Sequence, residues 1–457
     1  MKKRLSRFAH FYRLDGSLVV YNALKLGVVI LSPELEPIIK ALSTPKLGQE
    51  ILLSDDLCSK LEKLEIIVPE DYDENLAREP FVRVLDDLPI GVLYLVLTDN
   101  CNLRCKYCFE TDGCSTSQKN TMTPIVAKIG LDLFARSLGC KACGDVHHSG
   151  ENAQIVFYGG EPTLNPKTLI YALQYIEELK EKGGLPAETA VNINTNGTLI
   201  TKRLARILAQ YNVLVAVSLD GTEKQHDKMR VFPKDISSYG RVLKGVRLLK
   251  EAGARLSVSI TVGPHNVDKL PEALLSVVDA TGVTDVGFNL LMEGGVLDLA
   301  PDYPQKAADA LIECFRIARE RGIYEDRMMR KVNAFCDGAL YLNDCAGCGQ
   351  QIVVTPKGQV GVCQGYLGRP NHFLEPTVSF DPRTHPLWCE WRRRSPLNMS
   401  QCFGCEALGI CGGGCPRDAH LKKGSIWELD DRFCMHAKTT LRFLLEEVVR
   451  VTNSNKI

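Results

Sequence analysis

The sequence predicts an α/β protein built on a partial barrel of six βα units, with a small N-terminal domain before it and a cysteine-rich domain after it. Three observations predict this fold class. Apolar runs alternate with helical segments between residues 90 and 295, the first 85 residues follow a different pattern, and cysteines crowd together after residue 340. The chain has 457 residues, which is enough for two or three domains.

Composition and charge argue against two classes of partner. Lys and Arg together number 55, as do Asp and Glu, so the formal net charge is zero. A nucleic-acid-binding protein usually has a basic excess, so no nucleic acid is expected. The basic start at residues 1–4 is not followed by an apolar signal core, and the apolar stretch 18–31 is too short to cross a bilayer. We therefore expect a cytoplasmic protein with no membrane partner.

Residues 1–85 are predicted to form a separate unit of short strands and helices. Ser32, Pro33 and Glu34 favour a helix start, because they supply an oxygen cap, a proline in the first turn and an acid near the positive helix end. The acidic stretch 70–79 is interpreted as a linker to the barrel. The predicted elements are strands at 18–21, 28–31 and 66–68, a helix from Ser32 and a helix at 55–65.

Strands and helices alternate through residues 90–295, which implies parallel βαβ units. Six units fit a partial TIM-like barrel better than a closed eight-fold one. Sites in such folds lie at the carboxyl ends of the strands, so motifs there are the first functional candidates. The predicted strands are 92–97, 155–158, 191–193, 213–219, 256–262 and 286–291, and the predicted helices lie near 124–138, 167–182, 201–210, 239–251 and 267–280.

The last third of the chain is predicted to contain a bridging helical segment, 296–340, and a cysteine-rich domain, 341–457, with a terminal helix at 436–451. The chain has 18 cysteines. In a large chain without a secretion signal, clustered cysteines bind metal more often than they form disulfides. We expect metal binding, rather than a large core, to hold this domain together.

The first predicted strand runs into Cys101, Cys105 and Cys108, which have the spacing CxxxCxxC. Three thiolates on one tight loop can ligate three irons of a [4Fe–4S] cluster and leave the fourth iron open. A zinc loop is the alternative, but zinc sites usually use four ligands in paired spacings.

With Tyr107 before its last cysteine, this loop resembles the CxxxCxΦC signature of the radical S-adenosylmethionine (SAM) superfamily, where Φ is aromatic. The resemblance implies that Cys101, Cys105 and Cys108 hold the catalytic cluster. It also implies that the open iron chelates the amino and carboxylate groups of SAM, and that an electron from the cluster cleaves SAM to a 5′-deoxyadenosyl radical.

Later strand ends carry motifs that are similar to those of the same family. The sequence at 159–162 matches its GGEP motif, whose backbone and acid hold the ammonium group of SAM. Arg230 is a reasonable partner for the SAM carboxylate, because a guanidinium group matches a carboxylate. Any one of these turns is more readily an ordinary turn, but their order at successive strand ends favours a cofactor site. The residues that the resemblance assigns to SAM are Tyr107, Gly159, Gly160, Glu161, Pro162, Thr195, Asn196, Ser218, Asp220 and Arg230.

Seven later cysteines resemble the SPASM domain, an auxiliary-cluster module of peptide-modifying radical SAM enzymes. The resemblance implies two further [4Fe–4S] clusters, which makes three in total. A zinc ribbon at 402–415 is the alternative. The implied ligands are Cys345, Cys363 and Cys415, with Cys348 as a candidate fourth thiol, for one cluster, and Cys402, Cys405, Cys411 and Cys434 for the other.

The remaining cysteines receive simpler interpretations. Cys140 and Cys143, with His147 and His148, are interpreted as part of a surface insertion rather than as a zinc site. The others are expected to behave as small hydrophobic residues. They are Cys58, Cys114, Cys314, Cys336 and Cys389.

The order of elements in residues 1–85 resembles the winged-helix-like recognition domains that are fused to maturases of ribosomally made peptides. The resemblance implies that an exposed strand pairs with a leader peptide. A structural cap is the alternative.

The expected function is therefore that of a radical SAM maturase acting on a precursor peptide with a leader. The expected product is a thioether from a cysteine to a carbon of another residue, as in sactipeptides and ranthipeptides. The expected electron donor is an external flavodoxin or ferredoxin. The alternatives are an anaerobic sulfatase maturase that makes formylglycine, an enzyme that forms C–C or C–O crosslinks, and an iron–sulfur electron carrier or peptide-binding module without turnover.

Overall fold

The computed structural model describes residues 3–42, 53–110, 119–138, 153–292 and 297–454. Its strands are β1 (Lys3–Leu5), β2 (Ala9–Leu14), β3 (Ser17–Asn22), β4 (Gly27–Leu31), β5 (Ile67–Pro69), β6 (Val92–Thr98), β7 (Gln154–Gly159), β8 (Ala190–Thr195), β9 (Leu214–Ser218), β10 (Val231–Phe232), β11 (Ile236–Ser237), β12 (Arg255–Val262), β13 (Asp285–Leu290), β14 (Tyr324–Glu325), β15 (Gln351–Val354) and β16 (Val360–Gly361). Its helices are α1 (Glu36–Ala41), α2 (Asp55–Lys63), α3 (Glu74–Asp86), α4 (Pro124–Leu138), α5 (Pro166–Glu181), α6 (Lys202–Gln210), α7 (Glu223–Met229), α8 (Tyr239–Glu251), α9 (Leu270–Thr281), α10 (Tyr303–Glu320), α11 (Asp326–Asp337), α12 (Pro386–Arg393), α13 (Leu408–Cys411), α14 (Pro416–Lys423) and α15 (Asp431–Ser454).

The N-terminal unit is a three-stranded antiparallel sheet, in the order β2-β3-β4, with helices packed beside it. Strand β3 is buried on both faces. Successive side chains of a strand point to opposite sides, so its residues divide between two cores. Leu18 and Val20 join a small core inside the unit. Val19 and Tyr21 instead join a second core, shared with the C-terminal cysteine-rich region. The unit is therefore packed against the rest of the chain.

The prediction that 70–79 is a linker was wrong, because most of this stretch belongs to helix α3. Asp73 caps the helix, and its side chain accepts a hydrogen bond from the Asn75 N–H at 2.9 Å. The Glu74 carboxylate accepts hydrogen bonds from Ser6 and Arg4, next to β1. These acidic groups start and anchor a helix. In the sequence alone, the same run of acidic residues looks like a solvated linker.

The barrel is confirmed as a partial one. Six parallel strands lie side by side in the order β13-β12-β9-β8-β7-β6, which follows the chain from the β6 edge. Helices α4, α5, α6, α8 and α9 come between these strands and bury their apolar faces against the sheet. The carboxyl ends of all six strands therefore meet at one end of the barrel.

The cysteine-rich region adds to this sheet. Strand β15 pairs in parallel with β6, and β16 then pairs with β15 in antiparallel fashion. Ile352 and Val354 of β15 lie in the main barrel core. Trp388 of α12 lies in the same core and donates a hydrogen bond to the Gln351 carbonyl at 2.7 Å. This packing fixes the later cysteines next to the barrel mouth.

None of the helices in the described ranges combines the length and the apolar run that a membrane crossing requires.

Candidate functional site

A cavity of about 500 Å³ lies at the carboxyl ends of the barrel strands. Its wall is formed by strand ends on one side and by the cysteine-rich region on the other. Cysteines from both sides reach it. They are Cys101, Cys105 and Cys108 from the loop after β6, and Cys345, Cys363 and Cys415 from the later region.

The loop of Cys101, Cys105 and Cys108 is held in place by backbone pairing. The Arg104 N–H donates to the Val231 carbonyl at 2.7 Å, and the Lys106 N–H donates to the Met229 carbonyl at 2.9 Å. Burial raises the pKa of Cys101 to about 12, so without a metal its thiol would keep its proton. A bound metal removes that proton, and three convergent thiols on one loop fit the three-thiolate cluster expected from the spacing.

Gly159 and Gly160 are required by a close approach of two backbones. Gly159 has φ +140°, and a Cβ there would lie 2.2 Å from the Thr98 carbonyl oxygen. A Cβ on Gly160 would lie 2.4 Å from the carbonyl oxygen of Asn100. The end of β7 therefore packs directly on the segment that leads into the first cysteine, where no larger residue fits.

Glu161 links the ends of β7 and β8 and lines the cavity. Its fully buried carboxylate accepts hydrogen bonds from the Asn196 N–H and the Thr195 hydroxyl, both at 2.7 Å. Burial raises the pKa of Glu161, and these hydrogen bonds oppose the rise. Pro162 lies behind the cavity lining, so within the GGEP sequence the cavity is met by the first three residues.

Asn196 connects the same corner to the cysteine loop. Its side-chain nitrogen lies 3.9 Å from the Cys101 sulfur and donates to the Asn102 side chain at 2.9 Å. Thr195, Asn196 and Ser218 all line the cavity, at the ends of adjacent strands.

Asp220 lies behind the cavity lining and positions two residues that belong to it. Its buried carboxylate accepts hydrogen bonds from Arg230 Nε at 3.0 Å and from the Tyr107 hydroxyl. Burial alone would raise the pKa of Asp220, but Arg230 and His265 outweigh it and hold that pKa below its usual range. The guanidinium of Arg230 also lies over the Tyr107 ring, 5.2 Å from its centre.

Two histidines complete this cluster, and the sequence analysis did not assign either to the site. The His265 ring stacks on Tyr107 at 5.7 Å, with its Nε2 atom 3.4 Å from the Asp220 carboxylate. His226 Nδ1 accepts a hydrogen bond from the Asp220 N–H at 3.3 Å. Each histidine comes shortly after the carboxyl end of a barrel strand in the sequence, and this position could have marked both as candidate site residues.

Cys345, Cys363 and Cys415 face the cavity from the opposite side. A Cβ on Gly347 would lie 3.1 Å from the Cys345 sulfur and 4.0 Å from that of Cys363, so this glycine sits between the two thiols. Burial raises the pKa of Cys363 to about 12, and the nearby charge of Cys345 adds to the rise. Cys348 does not line the cavity and is fully buried. A hydrogen bond from the Cys345 thiol holds the pKa of Cys348 below its usual value.

An acidic and basic network surrounds Cys415. Its sulfur lies within 4.8 Å of carboxylate oxygens of Asp418 and Asp430. Both carboxylates are paired with buried Arg432, and Asp418 is also paired with Arg417 at 2.6 Å. This network closes the cavity wall behind the cysteine.

The other four predicted ligands form a separate group away from the cavity. Burial raises the pKa of Cys434 to about 12, and the charges of Cys411, Cys402 and Cys405, which lie nearby, add to the rise. Cys402 and Cys411 are packed in the core shared with the N-terminal unit. Four cysteines grouped in this way fit a fully thiolate-ligated cluster.

The remaining cysteines within the described residues do not join these groups. Cys314 is buried within α10, Cys336 is exposed, and Cys58 lies 3.1 Å from the Lys3 ammonium. Cys389 lies against the Arg383 carbonyl. Cys114 and the group formed by Cys140, Cys143, His147 and His148 lie outside the described residues.

The family model of the radical SAM superfamily matches residues 95–277, from β6 into α9. The chain contains a radical SAM domain. Its family implies SAM and a [4Fe–4S] cluster, and the cavity brings the three-cysteine loop and the strand-end motifs together as that family requires.

The chain is similar in sequence to several characterised proteins. It is 25% identical over 403 residues to the radical SAM cyclopropyl synthase TigE of Paramaledivibacter caminithermalis, which covers 82% of this chain and 78% of TigE. It is 23% identical over 397 residues to a cysteine-type anaerobic sulfatase-maturating enzyme of Clostridium perfringens, which covers 80% of this chain and 100% of that enzyme.

Two solved structures share the fold. Native anSMEcpe with bound AdoMet superposes with a TM-score of 0.61 at 20% identity, covering 80% of this chain and 100% of that chain. Streptococcus suis SuiB bound to S-adenosylmethionine superposes with a TM-score of 0.55 at 16% identity, covering 94% of this chain and 99% of SuiB.

Proposed function

We propose that this radical SAM enzyme is a maturase of a ribosomally made peptide, that it carries three [4Fe–4S] clusters, and that its product is a thioether. The observation that carries the proposal is the shared cavity. Cys101, Cys105 and Cys108 face the same space as Cys345, Cys363 and Cys415. A peptide in that space would lie between the SAM site and an auxiliary cluster of the SPASM type.

The grouping of the cysteines supports an assignment of the residues that would hold the cofactors. Cys101, Cys105 and Cys108 would hold the first cluster, and the two later groups of cysteines would hold the auxiliary clusters. When bound, SAM and the first cluster supply a 5′-deoxyadenosyl radical that removes a hydrogen atom from the substrate.

The chain itself supplies placement. Glu161 offers a negative charge to the ammonium group of SAM, and Arg230 offers a guanidinium group to its carboxylate. Asp220 keeps Arg230 and Tyr107 in position from behind the wall. Apolar and aromatic side chains of the cavity exclude water from the reacting atoms. They include Tyr94, Tyr158, Leu290, Leu291 and Phe433.

Peptide recognition is assigned to the N-terminal unit. Strand β4 forms an outer edge of its sheet in the described part of the chain, and its side chains are half-buried. An edge strand can add an extended peptide through backbone hydrogen bonds. In support, SuiB was solved with its precursor peptide SuiA, and that structure covers 95% of this chain with a TM-score of 0.51.

Two other products are favoured by specific relatives. Sulfatase-maturating enzymes of Klebsiella aerogenes and Clostridium perfringens are similar to most of this chain. The name of TigE indicates cyclopropane formation, which makes a carbon–carbon bond. The SuiB fold covers 94% of this chain, against 80% for anSMEcpe, which favours a peptide maturase with an additional N-terminal unit.

Anaerobic co-expression with the nearest short, cysteine-containing open reading frame tests the proposal. Mass spectrometry should show a loss of two hydrogen atoms per thioether, and fragmentation should be suppressed between the joined residues. The same loss in a product whose cysteine thiols can all still be alkylated would exclude a thioether and assign a carbon–carbon or carbon–oxygen bond. An unmodified peptide, despite turnover of SAM, would refute the peptide-maturase assignment.

A further inference from the structure

Arg394, at the carboxyl end of α12, is buried between the two groups of later cysteines. Its side chain is 0% exposed. In the described part of the chain its hydrogen bonds all go to backbone carbonyls. The acceptors are Ile426, Gly413 at 2.7 Å, Gly414 at 3.1 Å and Glu428 at 3.1 Å.

Three other fully buried cations of this region have carboxylate partners. Lys331 lies 3.4 Å from Asp344, Arg417 lies 2.6 Å from Asp418, and Arg432 is paired with both Asp418 and Asp430. A buried charge without a counter-charge is costly, because the low dielectric of the interior cannot replace its hydration. Carbonyl dipoles satisfy the donors of Arg394 but do not neutralise it.

The hydrogen bonds of Arg394 place it at the junction of the two groups. Gly413 and Gly414 belong to the loop between Cys411, of the second group, and Cys415, of the first. Ile426 and Glu428 precede Cys434. One guanidinium therefore holds the segments that present ligands of both groups.

The charge of Arg394 is held beside one cysteine of each group. Gly413 lies two residues after Cys411, and Gly414 lies directly before Cys415. A cation at this position in a low-dielectric interior stabilises negative charge on either group.

We propose that Arg394 is the shared counter-charge of the two auxiliary clusters and that it raises the reduction potential of both. The inference rests on the proposed three-cluster content. A [4Fe–4S] cluster with thiolate ligands is an anion, and it gains one more negative charge when it accepts one electron, without any bond being made or broken. A fixed positive charge in a low-dielectric setting favours the more negative, reduced form.

A purely structural role would also explain why Arg394 donates to four carbonyls. The test therefore separates the effect of its charge from that of its hydrogen bonds. Arg394→Gln keeps N–H donors on an amide and removes the charge. Arg394→Lys keeps the charge and removes the planar, forked guanidinium group. Arg392→Gln is the matched control, because Arg392 is 5% exposed and its guanidinium donates to the carbonyls of Asp86 and Arg383, neither of which neighbours a predicted ligand in the sequence.

The measurement is an anaerobic titration of the reconstituted holoenzyme with dithionite, monitored by electron paramagnetic resonance. The full-length chain with Cys101, Cys105 and Cys108 replaced by Ala identifies the auxiliary signals. Arg394→Gln should shift both auxiliary midpoint potentials to more negative values, Arg394→Lys should restore them towards wild type, and Arg392→Gln should leave them unchanged.

Iron content makes every outcome decisive. Unshifted potentials in Arg394→Gln, with about eight auxiliary irons retained, would overturn the inference. Failure of cluster loading in Arg394→Gln but not in Arg394→Lys would support the counter-charge role, because the lysine keeps the positive charge and the glutamine does not. Failure in both variants, with Arg392→Gln intact, would assign Arg394 to a clamp and overturn it. A wild-type enzyme with only about four irons would refute the three-cluster proposal itself.

Discussion

At the scale of single residues, Asp220 determines where two cavity residues lie. Its buried carboxylate holds Arg230 at 3.0 Å and also receives the Tyr107 hydroxyl and the Thr261 N–H. The sequence could identify Asp220, because it follows a barrel strand. It could not show that the side chain lies behind the cavity, because that depends on the approach of β12 and of the His265 loop.

Asp220→Asn should destabilise the protein and weaken SAM binding. The amide cannot balance the Arg230 charge, and removal of one partner of a buried ion pair costs about 3–5 kcal/mol. We expect a lower melting temperature and SAM binding weakened by about tenfold or more, which corresponds to about 1.4 kcal/mol per factor of ten. Calorimetry of unfolding and of SAM binding measures both.

The pH dependence of this effect has a defined sign. Because the folded-state pKa of Asp220 is lowered, its stabilisation is fully present above the unfolded-state pKa of about 3.9 and is lost as pH falls through the folded value. The difference in melting temperature from wild type should therefore persist between about pH 8 and pH 5. Asp235→Asn is the control, since its pair with Lys106 is exposed. Equal effects of the two substitutions would contradict the role given to Asp220.

At the scale of elements, the N-terminal sheet has two different faces. One face closes the core of its own unit, and the other packs against the region of Cys402 and Cys411. The sequence predicted β3 and β4, because each contains a short continuous apolar run. It did not predict α3, because Glu74 and its acidic neighbours look like a solvated linker until their tertiary partners are known.

Leader binding should protect β4 from hydrogen exchange. The β3 amides are already in a strand paired on both sides, whereas β4 is paired only with β3 in the described part of the chain. We expect exchange in Gly27–Leu31 to slow when the precursor is added, and exchange in β3 to change little. The full-length chain is needed, because removal of residues 1–85 would expose the shared core around the second group of cysteines.

A precursor peptide without its leader is the control for that experiment. It should leave the exchange of β4 unchanged at the same concentration. Slowed exchange confined to the barrel mouth, with none in β4, would contradict the recognition role of the N-terminal unit.

At the scale of the whole molecule, the barrel and the cysteine-rich region form one site. The barrel could be predicted, because each strand and helix has a local periodic signal. The pairing of β15 with β6 could not, since it joins Gln351–Val354 to a strand far away in the sequence. The resemblance to the SPASM domain divided the later cysteines into two groups, but only the tertiary packing shows that one group shares the cavity with Cys101, Cys105 and Cys108.

The most direct measurement is 5′-deoxyadenosine formation by the full-length chain in which Cys101, Cys105 and Cys108 are all replaced by Ala. The account predicts that formation is abolished, and that anaerobic iron content falls by about four per chain while the auxiliary iron remains. The retained auxiliary iron serves as the control for folding. Undiminished 5′-deoxyadenosine formation in this variant would contradict the claim that these three cysteines hold the catalytic cluster.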